Sequence, residues 1–98
     1  MDYANLIRKW ASDRNLIEGS DPKSQFVKLM EEAGELANAI GKQNTDEFAD
    51  AIGDMFVVMT IMAAQNNMWI EDCIAGAYIE IRNRKGKMVD GIFVKDAE

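Results

Sequence analysis

The chain has 98 residues, 48% of them hydrophobic and 29% charged, with 11 Lys+Arg against 17 Asp+Glu, a net charge of −6 and no histidine. This is the make-up of one folded domain, residues 1–98, and it excludes Ser-His-Asp and Cys-His triads, HExxH zinc sites and Cys/His fingers. The lone Cys73 forbids an intrachain disulfide, and the acidic balance argues against nucleic acid as a partner.

In chain order, Tyr3, Leu6, Ile7 and Trp10 recur at helical spacing and predict a first helix from about Asp2 to Leu16. Asp21-Pro22 then reads as an N-cap followed by proline at the first helical position. The second helix is expected to end at Ile40 with Gly41 at C′. A third helix starts near Thr45 and reaches Gln65, where Asn66-Asn67 marks its end. A fourth follows from Ile70 to Arg84. Asp90-Gly91 between Met88-Val89 and Ile92-Phe93-Val94 predicts a short β-hairpin or hook. The expected fold class is all-α: a four-helix bundle-like domain with that hairpin at its C-terminal end.

The most hydrophobic window, Met55 to Ala64, has only Thr60 as a polar residue. It is far shorter than the ~20 residues that span a bilayer. With no segment resembling a targeting signal, the expectation is a soluble, cytoplasmic protein without a membrane partner. A helix apolar on every side must be surrounded, and three other helices of this size hardly enclose it. A homo-oligomer, dimer or tetramer, is therefore expected.

Charge is unevenly placed. Residues 43–81 hold seven acids and no Lys or Arg, whereas residues 82–98 hold five basic and three acidic side chains. On the second helix, Glu31, Glu32 and Glu35 fall within one arc of ~100°. On the third, Glu47, Asp50 and Asp54 fall within ~60°, and the same face continues into Val57, Val58 and Ile61. A solvated acidic face accounts for the first group about as well as a site does. Asn44-x-x-Glu47 resembles a capping box, which offers Glu47 a structural role. Asp54 has no such role, because an unpaired carboxylate at the mouth of an apolar section is costly. Carboxylates on two neighbouring helices, without histidine or thiolate, make an oxygen-only site suited to Mg²⁺ or Mn²⁺. The basic cluster Arg82, Arg84, Lys85 and Lys87 suits phosphates, or else answers the helix dipole.

These residues resemble the MazG-like members of the all-α nucleoside triphosphate pyrophosphohydrolase superfamily. The resemblance runs through Trp10-Ala11-x-x-Arg14, Glu31-Glu32-x-x-Glu35, Glu47-x-x-Asp50 and Gly53-Asp54, and closes with Arg84-Lys85-Gly86-Lys87 and Asp90-Gly91. It is closest to small single-domain members of phage type. It implies hydrolysis of a nucleoside triphosphate to the monophosphate and pyrophosphate. Glu32, Glu35, Asp50 and Asp54 would hold Mg²⁺ or Mn²⁺, Glu31 or Glu47 would take the proton of the attacking water, and Arg84, Lys85 and Lys87 would meet phosphates. Trp10, Arg14 and Tyr78 are candidates for base contact, though each also fits a structural role. Aligning the second motif on Gly-Asp favours Asp54 as a metal ligand; aligning it on ExxD favours Glu47 and Asp50. The alternatives are a dUTPase-like or phosphoribosyl-ATP pyrophosphohydrolase activity on the same bundle, or a non-catalytic helical oligomerisation module.

Overall fold

The computed structural model describes residues 2–97. It has four helices, α1 (Tyr3–Asp13), α2 (Pro22–Lys42), α3 (Thr45–Gln65) and α4 (Ile70–Ile81), followed by strands β1 (Gly86–Val89) and β2 (Ile92–Lys95). Helix starts fall where side-chain acceptors demand them. Asp21 accepts from the Ser24 amide at 2.8 Å, with Pro22 next in line. Asn44 Oδ1 accepts from the Glu47 amide at 3.1 Å, so Glu47 sits within the first turn of α3.

The end of α2 differs from the expectation. Gly41 stays helical, and Gln43 adopts the left-handed conformation (φ 56°). The Gln43 amide bonds the Ile40 carbonyl and the Asn44 amide bonds that of Ala39, a Schellman arrangement. Asn44 thus closes α2 and opens α3 with no residue spare, and the two 21-residue helices fold back on each other as the tightest pair in the molecule. Asn15 (φ 58°) and Asn67 (φ 58°) end α1 and α3 in the same way.

Helix α4 stops at Ile81, three residues before the expected Arg84, and its chain turns into the hairpin. Asp90 and Gly91, both at positive φ (50° and 81°), form the hairpin tip, as expected for Asp-Gly. Gly86 is required there for a different reason. Any Cβ at this position would lie 2.3 Å from the Val94 carbonyl oxygen.

Packing within the chain is uneven. Helix α1 lies on α3 through Ala4 and Ala11, while α4 meets α3 over a narrow contact. The buried apolar residues are Ala4, Ala11, Ala39, Ala51, Val58, Ile61 and Ile70, which are mostly small. The largest fully buried side chain is Thr60, whose hydroxyl donates to the Phe56 carbonyl. In the apolar section of α3, only Val58, Thr60 and Ile61 are buried, so the chain's own helices do not enclose it. On α4 and the hairpin, Ile74, Tyr78, Ile79, Ile81, Met88, Ile92 and Phe93 are exposed. The radius of gyration is 16.2 Å, against ~13 Å for a compact domain of this length. Among the described residues, no helix is long and apolar enough to cross a membrane.

Candidate metal centre

The α2–α3 seam carries acids where its period calls for apolar residues. On α2 one stripe runs Glu32, Glu35, Ala39, and on α3 one runs Ala51, Asp54, Val58; Glu32, Ala39, Ala51 and Val58 are buried, whereas Glu35 and Asp54 are exposed. Stepping three and four residues along each helix keeps these positions on one face. The two helices therefore bring Glu32, Glu35 and Asp54 together, each offering a carboxylate oxygen within 4.8 Å of the other two.

Glu32 is the innermost, only 4% exposed. Its Oε1 accepts from Lys28 Nζ at 3.2 Å, whereas its buried Oε2 has no hydrogen-bond partner among the described residues. Hydrogen bonding and repulsion from Glu32 hold the Glu35 carboxyl above its ordinary pKa. Loss of solvent, followed by the negative fields of Glu32 and Asp50, raises that of Asp54. Two carboxylates can share a hydrogen bond only if one of them carries a proton. Ionised, the three carboxylates face the single ammonium of Lys28 and so keep an excess of negative charge.

From this knot a cleft of about 380 Å³ runs toward the α2–α3 link, lined by Glu35, Asn38, Lys42, Glu47, Asp50, Ala51 and Asp54. Lys42 Nζ stands 4.0 Å from Glu47 Oε2 at the far end. Glu47 and Asp50 are thus wall residues of the same cleft. Glu31 does not line it; its side chain is exposed, 3.8 Å from Lys28 Nζ. Arg84 and Lys85 line a separate cleft with Glu80, Asn83, Lys95 and Asp96, which shares no residue with the first. Lys87, on β1, lines neither. Within one chain, then, the basic cluster is not brought to the carboxylates.

Three polar residues of the region, Lys28, Asn38 and Lys42, carry no role in the sequence reading. Their signal was spacing: Lys28 is four residues before Glu32, and Asn38 and Lys42 are three and seven after Glu35.

The donor set fits a hard divalent cation. It is all oxygen, it converges from two helices, and its most buried oxygen has no partner. The arrangement is thus a helical pair built around an oxygen-donor cluster. The model of the MazG nucleotide pyrophosphohydrolase domain matches residues 20–89 of the sequence, which include the whole cluster. The chain belongs to that family. It is also 55% identical over 62 residues to an uncharacterized 18.2 kDa protein encoded in the rep-hol intergenic region of Haemophilus phage HP1. That match covers 63% of this chain and 38% of the phage protein's length. No solved structure matches the chain.

Proposed function

We propose that the protein hydrolyses a nucleoside triphosphate to the monophosphate and pyrophosphate, using Mg²⁺ or Mn²⁺ held by Glu32, Glu35 and Asp54, with Asp50 beside them. The observation that carries this reading is the unpartnered buried oxygen of Glu32 at the convergence of three carboxylates, in a chain of this family. A bound divalent ion would supply Lewis acidity and a water acidified enough to attack phosphorus.

The chain's own residues do the rest. Glu47 lines the cleft and serves as acceptor for the water's proton; Glu31, outside the cleft, is less suited to that role. Lys42, on the same wall, offers charge to the outer phosphates. Arg84, Lys85 and Lys87 keep their phosphate role only if assembly carries the arm of α4 and the hairpin to a cleft.

The surface area supports such assembly. At 11.0 kDa and 7594 Å², the chain exposes about 2,000 Å² more than the ~5,600 Å² of a compact monomer of that mass. A standard interface covers ~800 Å² per partner, so the excess is of the size covered in obligate homo-oligomers. The proposal is a homodimer or homotetramer working in the cytoplasm.

Incubation with a panel of nucleoside triphosphates, with Mg²⁺ or with EDTA, tests the activity by pyrophosphate release. Mg²⁺-dependent release from several bases is expected. Release confined to deoxyuridine triphosphate or to phosphoribosyl-ATP would narrow the activity to one of those two. No turnover of any nucleotide would leave a non-catalytic oligomerisation module.

A further inference from the structure

Among the described residues, Lys28 is the one cation paired with the carboxylate knot, yet general helix energetics do not explain its position. Its Nζ lies 3.2 Å from Glu32 Oε1 and 3.8 Å from Glu31 Oε2. A Lys four residues ahead of a Glu is the weaker orientation of a helical ion pair. The Lys28 side chain is also 54% exposed, and ion pairs open to water contribute little to stability. What distinguishes this pair is its other member, a carboxylate almost wholly removed from solvent whose second oxygen has no partner. Glu35 and Asp54 each offer an oxygen within 4.8 Å of Glu32, so the ammonium on Glu32 sits beside three carboxylates on two helices.

We infer that Lys28 is a tethered counter-cation: it offsets the charge of the Glu32–Glu35–Asp54 knot when no metal is bound, and its charge opposes an incoming divalent cation. The inference rests on reading the knot as a metal site. Two consequences follow for the same side chain. Lys28 stabilises the metal-free fold, and it weakens metal binding by repelling a like charge. A unit charge and a divalent ion at roughly 6 Å in a water-like medium repel enough to change affinity about tenfold. Lys28 thereby sets the metal concentration at which the site fills. Its four-carbon stem lets the ammonium swing away without moving the backbone of α2.

The experiment compares wild type, Lys28→Met and Lys28→Arg by thermal melting in EDTA and by Mn²⁺ titration, following free Mn²⁺ by electron paramagnetic resonance. Met keeps the length of the side chain and removes its charge, while Arg keeps the charge. In EDTA, Lys28→Met should melt a few degrees below wild type. It should bind Mn²⁺ about tenfold more tightly and gain more from saturating Mn²⁺ than wild type does. Lys28→Arg should stay close to wild type in both. If Lys28→Met binds Mn²⁺ no more tightly than wild type, or melts in EDTA as wild type does, the assignment is overturned. A lysine that merely orients Glu32 would give weaker Mn²⁺ binding on removal. Wild type taking up no Mn²⁺ overturns the metal reading and this inference with it. That result is distinct from a wild type that binds while Lys28→Met binds no better.

Discussion

The α2–α3 pair and the arm formed by α4 and the hairpin depart from the ordinary division of residues in opposite directions. In the pair, an acid occupies an inward position: Glu32 is nearly buried, and the exposed Glu35 and Asp54 converge on it from the same stripes as buried Ala39, Ala51 and Val58. On the arm, apolar residues occupy outward positions, with Tyr78 61% exposed and Ile74, Ile79, Ile92 and Phe93 also exposed. A charge turned inward and a hydrophobe turned outward both cost free energy in an isolated chain. The convergent acids suit a small cation. The apolar residues of the arm are left uncovered by the rest of the chain.

The largest expected effect breaks the arm. A charge at an exposed helix position ordinarily changes stability by under ~0.5 kcal/mol. If assembly covers α4, Ile74→Glu combined with Tyr78→Glu places two charges in an apolar interface and should dissociate the protein. Sedimentation equilibrium and far-ultraviolet circular dichroism check this together. The expected outcome is loss of the oligomer with loss of cooperative unfolding. A wild type that sediments as a folded 11.0 kDa monomer would remove the need for a partner.

The next effect is in the pair. Asp54→Asn removes one of the three convergent carboxylates with almost no change in volume. Even residues that only orient metal ligands cost 10–100-fold when lost, so turnover should fall by at least ~100-fold. The melting-temperature gain from Mg²⁺ should largely vanish, since ligand stabilisation scales with affinity for the native state. A structural Asp54 would behave differently, losing stability equally with Mg²⁺ and with EDTA.

The same contrast explains what the sequence disclosed. Asp21-Pro22, Asn44 and Asp90-Gly91 declare their turns because the chemistry is local: a side-chain acceptor for free amides, or residues that tolerate positive φ. The acids of α2 and α3 were legible for a related reason, since helical periodicity alone fixes which of them share a face. Whether Asp54 or the Glu47/Asp50 pair meets Glu32 depends on how far α2 and α3 slide past each other. The left-handed turn at Gln43 sets that register, and Gly41 hid it by looking like the better C′ residue. The end of α4 was illegible because Arg82 to Lys85 are sound helix formers. Only pairing of Gly86 with Lys95 in the hairpin pulls them out of the helix. That non-local pairing also carries Arg84 and Lys85 to their own cleft.

A moderate effect is expected at that cleft. If Arg84 meets phosphates in the assembled protein, Arg84→Ala should raise KM or lower kcat by ~10-fold, the scale of one charge-assisted contact. Mn²⁺ affinity should stay as in wild type. Weakened Mn²⁺ binding with unchanged kinetics would contradict a phosphate role.

The smallest effect is one of sign, and it sets the two regions against each other directly. Arg8 on α1 grips Glu71 on α4 through both terminal guanidinium nitrogens, with Nη2–Oε2 at 2.6 Å. These hydrogen bonds hold the Glu71 carboxyl below its usual 4.5. A depressed acid stabilises the fold above its unfolded pKa, and that contribution disappears as pH falls through the folded value. Asp54 does the reverse in metal-free protein. Raised above its usual 3.8 by loss of solvent, it carries no penalty at low pH. The penalty grows as pH climbs past the unfolded value and levels off above the folded one. Thermal melts in EDTA from pH 3 to pH 7 should therefore give difference curves of opposite sign. Glu71→Gln should melt below wild type at neutral pH and converge with it in acid. Asp54→Asn should melt at or above wild type at neutral pH and likewise converge in acid. If Asp54→Asn instead melts below wild type at neutral pH in EDTA, Asp54 is a well-partnered structural acid.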